Sequence, residues 1–156
     1  MADSFTALAL QAQAQALTQA LHNCDALTLR YGLSLTDAQI TSLVRSRMDT
    51  LAYTGRIELG ESVLPKLIYT FCDSPYLQRD TYAKTLAALQ ELFYTLKNEV
   101  EDTMSDDELI QAMSQIYHHK AQGSLEYLEN VTLSDLWHAY TGTEDAEDEP
   151  NDEWLD

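Results

Sequence analysis

The residue with the most chemical promise is Cys72, in the run Phe71-Cys72-Asp73-Ser74-Pro75. A cysteine nucleophile acts as its thiolate, so it needs surroundings that lower its pKa. The spacing predicts the reverse. A helix over 62–72 places Cys72 at its C-terminal end, where the helix dipole opposes negative charge, and Asp73 adds a second negative neighbour. Cys72 also falls on the apolar arc of that helix, where a cysteine behaves as a small hydrophobe. No catalytic residue is assigned on this basis, and the reading leans away from an enzyme.

Metal and cofactor chemistry fare no better. His118 and His119 are consecutive, so on a helix they diverge by about 100° and cannot share one ion. No His, Asp or Glu stands three or four residues from either, and His22 and His138 are isolated. HExxH, CxxC and EF-hand patterns are missing, as are GxGxxG, GxxxxGK[ST] and GxSxG. No metal ligand and no cofactor site is expected. Six acids do crowd one corner: Glu99, Glu101, Asp102, Asp106, Asp107 and Glu108. They suit a divalent cation or a basic partner, but a solvated, salt-screened hairpin corner is the plainer reading.

The remaining polar candidate is Arg47. It falls in the middle of an otherwise apolar helix face, between Leu43 and Ile40 on the wheel. A charge there must reach out to water or meet a carboxylate. Glu58 and Glu61 are the expected partners, and Arg56 lies close by, so Arg47, Arg56, Glu58 and Glu61 form a candidate ion pair or polar site.

The elements that must position these residues read as helices. The stretch around 62–72 is the centre: Val63, Leu64, Leu67, Ile68, Phe71 and Cys72 fill about half of a helix circumference. Such a helix touches neighbours on two sides. Pro65 suits its first turn, and Asp73-Ser74-Pro75 stops it. Before it, Thr36 and Gln39 open a helix as a capping box, with Ile40, Leu43, Val44, Met48 and Leu51 on its face and Gly55 at its end. After it comes a long helix over 80–103, with Tyr82, Leu86, Leu89, Phe93, Leu96 and Val100 as a bundle seam. Glu91, Tyr94 and Asn98 lie opposite that seam and are expected to face water or a partner. Ser105 with Glu108, and Thr132 with Asp135, open two further helices, and 124–130 forms a short one.

Residues 4–24 hold no Asp, Glu, Lys or Arg, and their thin stripe of Leu10, Ala14, Leu17 and Leu21 predicts a peripheral Ala/Gln-rich helix over 4–23. That helix is a candidate for pairing with a second protomer. Leu27, Leu29, Tyr31, Leu33 and Leu35 alternate with polar residues at period two, a strand signal whose only short candidate partner is 56–59; an extended linker lying on the core fits equally, since Gly32 weakens a strand. The fold expected is thus mainly all-α: a compact bundle of five or six helices around a central short helix, with at most one minor two-stranded ribbon. It occupies residues 1–140 as a single helical domain, and 141–156 is an acidic tail expected to be disordered alone.

Charge narrows the partners. The formal net charge is −17, and residues 121–156 contain eleven acids and no base. Such a chain repels DNA, RNA and anionic lipid surfaces, so neither direct nucleic-acid nor membrane binding is expected. No apolar run reaches 18 residues, no Lys or Arg occurs before Arg30, and the two cysteines make no disulfide framework. A cytoplasmic protein is the expectation. Trp154 and Leu155, at the end of the acidic tail, are candidate partner contacts.

The runs TGRIELGESVLPKLIYTFCDSPY, LQELFYTLKNE, SDDELI and GSLEYL resemble a family of small helical Firmicutes proteins, chiefly clostridial, that carries a domain-of-unknown-function label. The resemblance spans about residues 30–137. It implies a bacterial, cytoplasmic, mainly helical protein and carries no site residue with it. Three functions follow as expectations. The first is a non-enzymatic protein-interaction module of a Gram-positive bacterium, engaging a protein partner that is basic or apolar. The second is an acidic DNA mimic that occupies a nucleic-acid-binding protein. The third is an enzyme with a site near Arg56, Glu58, Lys66 and Tyr69.

Overall fold

The structure is a computed structural model that describes the backbone of residues 2–58 and 62–142, with side chains from Leu8 onward. Among the described residues there are seven α-helices and no strand. Two compact units form, Met1–Tyr94 and Thr95–Asp156.

In the first unit, α1 (Ala2–Thr28) packs against α2 (Asp37–Thr54) and α3 (Leu64–Phe71). Helix α1 runs past the expected end at residue 23. Its second half buries Leu17, Leu21, Cys24 and Thr28, while residues 8–12 are all exposed. Helix α2 begins on the expected capping box, Thr36 Oγ1 accepting from Gln39 N–H and Gln39 Oε1 from Thr36 N–H. It ends on Gly55 at φ +72°, a left-handed conformation that costs glycine nothing. In α3, Val63, Leu64, Leu67, Ile68, Phe71 and Cys72 are all buried, so its arc is enclosed on more than one side. Pro65 sits in its first turn.

The two-stranded ribbon is not formed. Leu27 and Thr28 belong to α1, and Leu29–Tyr31 is a 3-10 turn. Gly32, at φ +76°, turns the chain. Leu33 N–H donates to Thr28 C=O at 3.2 Å, and Thr28 Oγ1 donates to Leu33 C=O at 2.9 Å. Gly32 thus acts as a helix-terminating residue, and the period-two run is a helix end followed by a turn.

Helix α4 (Tyr82–Glu99) follows a 3-10 turn at Arg79–Thr81 and is shorter than the expected 80–103. Its seam is buried as expected, and so are Leu92 and Tyr94. Glu91 and Asn98 are exposed.

In the second unit, α5 (Asp106–His118) packs on α6 (Leu125–Glu129) and α7 (Leu133–Thr141). Capping boxes at Ser105–Glu108 and Thr132–Asp135 start α5 and α7. Leu109, Ile110, Met113, Ile116 and Tyr117 of α5 join Leu128 and Leu136 in the buried interior. Gly123, at φ +87°, returns its N–H to Tyr117 C=O at 2.9 Å.

Candidate functional site

The first unit carries a groove between α1 and the segment running from α2 into the turn beyond it. Its α1 wall is built of small or uncharged residues: Ala9, Leu10, Gln13, Ala16, Leu17 and Ala20. Opposite stand Met48, Leu51 and Ala52 of α2, then Arg56, Ile57 and Glu58, with Ser62 and Pro65 at one end. Two cavities divide it, of about 540 and 510 Å³, and both are lined by Gln13 and Arg47. Short side chains on α1 leave this space unfilled. The rim is apolar and open: Leu10 and Met48 are each 41% exposed and Ile57 is 85% exposed.

The polar element of the groove is Arg47, only 3% exposed. Its Nη2 and Nε donate to Glu58 Oε1 at 2.8 and 3.0 Å. Tyr94 O–H donates to Glu58 Oε2 at 2.5 Å. Burial pushes the Tyr94 phenol well above its ordinary pKa, and the Glu58 carboxylate beside it adds to the shift. Tyr94 therefore stays protonated and acts as a donor. Glu58 neutralises the guanidinium and Tyr94 satisfies the second carboxylate oxygen, which lets the charged pair sit in an apolar wall.

The expectation that Tyr94 faces water or a partner is corrected here. It is 2% exposed, because a loop carboxylate far off in sequence supplies its polar partner. Of the candidate polar site, Arg47, Arg56 and Glu58 line one cavity together. Glu61 lies outside the described residues, as do Trp154 and Leu155. Lys66 and Tyr69 are not among the residues lining either cavity. The α1 wall belongs to the helix that the sequence offered for pairing with a second protomer, but a groove along it was not expected. Its signal was the uncharged run 4–24, which leaves small side chains where a packed helix would carry large ones.

Cys24 and Cys72 are both buried free thiols. Burial pushes both up from the ordinary value of 9.0, and Asp73 adds to the rise at Cys72. The Tyr69 hydroxyl beside the Cys24 thiol offsets part of the rise at Cys24. His118 Nδ1 is 2.8 Å from Ser114 C=O, within its own helix. Among the described residues no group of three or more His, Cys, Asp or Glu is arranged to hold a metal ion. In the acidic corner, Lys97 supplies a cation: its Nζ lies 2.8 Å from Asp106 Oδ1 and donates to Met104 C=O at 2.5 Å.

A family model matches residues 20–145 of this sequence. The chain belongs to DUF6323, a family of unknown function. Among curated proteins and among solved structures nothing matches the chain. The DUF6323 match takes in α2, the turn beyond it, Tyr94 and the whole polar triad. It starts at residue 20, so Ala9, Leu10, Gln13, Ala16 and Leu17 of the α1 wall precede it. Among the described residues no helix is long and apolar enough to cross a membrane.

Proposed function

We propose that this DUF6323 member is a non-enzymatic protein-interaction module, working in the cytoplasm of a Gram-positive bacterium, and that the α1–α2 groove is its contact surface. The observation that carries this reading is the pair of adjoining apolar cavities rimmed by exposed Leu10, Met48 and Ile57. Contiguous exposed apolar surface on a folded protein is characteristic of interaction sites. The Arg47–Glu58–Tyr94 cluster at its base is internally satisfied, so it orients the wall and leaves no charge seeking a substrate. A net charge of −17 favours a basic or apolar protein over nucleic acid or anionic lipid. The resemblance of the 54–76 run to Firmicutes proteins supports the bacterial setting, and the absence of a disulfide framework supports the compartment.

The test is site-specific photo-crosslinking of the full chain in a Firmicutes lysate. A benzophenone side chain replaces Met48 in the groove or, as control, Glu126 on the exposed side of α6. A protein adduct formed at position 48, missing at position 126 and lost on Ile57→Glu, is the expected result; the captured protein is either another species or a second copy of the chain. No adduct at position 48, or the same adducts at both positions, removes the groove as the contact surface.

A further inference from the structure

The groove and the helix that forms its wall are complementary to each other. Helix α1 offers exposed leucines, Leu8 and Leu10, beside the cavities that its own small residues leave open. A surface holding both a projection and a hollow that accepts it can pair with itself across a twofold axis. Gln13 marks where that axis would pass, because it lines both cavities. Exposed residues placed symmetrically about Gln13 then meet: Leu10 of one copy over the partner's Ala16, and the reverse. Ala16 and Leu17 line the larger cavity, and Leu10 rims the smaller.

Charge selects the same surface. Two copies of a chain with net charge −17 repel one another over most approaches. Along α1 there is no Asp, Glu, Lys or Arg from residue 4 to 24, so two α1 helices meet without bringing like charges together. Arg47 is already neutralised by Glu58 within each copy. An uncharged wall offers a basic partner no ion pair, whereas it lets a second copy approach without like-charge contact.

We infer that the occupant of the groove is a second copy of this chain, held by antiparallel α1–α1 packing in an isologous dimer centred on Gln13. This rests on the reading of the groove as an interaction surface.

The experiment is light scattering and sedimentation of the purified full chain over about 1–100 µM, a range that brackets weak to moderate association, at low and high salt. The expected mass is twice the 17.6 kDa of one chain. Salt should strengthen the dimer, because screening removes residual repulsion between acidic bodies while the apolar contact is unaffected. Leu10→Glu should weaken association at least about tenfold, since it places an unpaired carboxylate in the interface. Leu10 is half-exposed in the single chain, so unchanged helical circular dichroism is expected for the variant. As a second measurement, oxidation of Gln13→Cys should give a disulfide-linked dimer, and oxidation of Ala26→Cys should not.

A monomer at every concentration overturns the inference, as does a dimer that survives Leu10→Glu and fails to crosslink through position 13. A monomer that still forms the groove-specific adduct with a different protein at position 48 defeats self-pairing and leaves the interaction module standing. Loss of both defeats the groove itself.

Discussion

Arg47 and Glu58, eleven positions apart across the Gly55 turn, are joined through two guanidinium nitrogens to a single carboxylate oxygen. The other oxygen takes the Tyr94 hydroxyl. This arrangement ties the chain leaving α2 back onto the helix and couples it to α4. Removing one member of a nearly buried pair leaves the other charge unsatisfied, which typically costs about 3–5 kcal/mol. Because the Glu58 side chain is 14% exposed, Glu58→Ala is expected near the lower figure. Thermal melts should show a fall of roughly 6–12 °C for a chain of this length. Tyr94→Phe should cost about 1.5–3 kcal/mol, as for a hydrogen bond to a charged group. The double variant should cost less than the sum of the two singles, and strict additivity would mean that Tyr94 and Glu58 act independently.

Stability should decline on the alkaline side. The pKa values of Cys24, Cys72, Tyr82 and Tyr94 are all raised in the folded chain, with burial the leading cause in each. A raised value means that the folded state holds its proton where the unfolded chain has lost it. The stabilisation they reflect is complete below their ordinary values, 9.0 for the thiols and 10.0 for the phenols, and is lost as pH climbs toward the folded values. Urea midpoints should therefore fall from about pH 9 upward. Tyr82→Phe should flatten the part of that fall above pH 10. A flat profile from pH 8 to 11 in the unmodified protein would contradict the burial of these groups.

The same shifts govern thiol reactivity. The thiolate is the reacting form, and at pH 8 both cysteines are held protonated and covered. Ellman's reagent should label the native chain slowly and at a rate limited by opening of the fold. In denaturant both thiols should react at once. Tyr69→Phe removes the hydroxyl that holds the Cys24 pKa down and should slow labelling of Cys24 further while leaving Cys72 alone.

Much of the fold was legible because it is written in local capping chemistry. Thr36–Gln39, Ser105–Glu108 and Thr132–Asp135 all form the reciprocal bonds that their types and spacing predict. The buried arc of α3 was equally visible, since six apolar residues in ten fill half of the helix and leave only a narrow exposed face at Lys66 and Tyr69. Features that depend on distant partners were harder to read. Tyr94 lies off the apolar seam of α4, and only the return of Glu58 to α2 gives its hydroxyl a buried acceptor. The Leu27–Leu35 alternation has the period of a strand, yet Thr28 and Gly32 together form a helix stop whose bonds override it. The groove was hidden for another reason: it is space left by small residues of α1, and its opposite wall lies in another helix and the turn beyond it. Arg47 and its partner Glu58 did stand out, because a charge within an apolar stripe demands a carboxylate nearby, and Arg56 was noted beside them.

Gln90 presents the opposite situation to Tyr94. It is fully buried, and neither its amide nitrogen nor its oxygen has a hydrogen-bond partner among the described residues. A buried polar group left unpaired typically costs about 1–3 kcal/mol. Gln90→Met keeps the length and shape of the side chain and removes the unmet polarity. It should raise stability by about 1 kcal/mol in denaturant unfolding, with the slope of the transition unchanged. Gln90→Ala should lower it instead, by leaving a cavity. If Met destabilises as much as Ala, the amide has a structural partner and is not a liability.

Lys97 places a cation at the acidic corner that links α4 to α5. Its ammonium reaches Asp106 and the Met104 carbonyl while its stem stays buried, and it stands in the last turn of α4, where the helix dipole favours positive charge. Glu99 shares that turn, and Glu101 and Asp102, both with positive φ, follow it. Lys97→Met preserves the buried stem but removes the charge. The Asp106 carboxylate then loses its counter-ion among neighbouring acids, and the Met104 carbonyl loses its donor. A loss of about 1–3 kcal/mol is expected at low salt, discounted from the buried-pair figure because the Asp106 side chain is 43% exposed. Raising sodium chloride from about 0.05 to 0.5 M shortens the screening length severalfold and should recover part of that loss. The part that salt does not recover measures the Met104 carbonyl bond. If the deficit is the same at both salt concentrations, Lys97 holds the corner through that bond alone, and its charge plays no part.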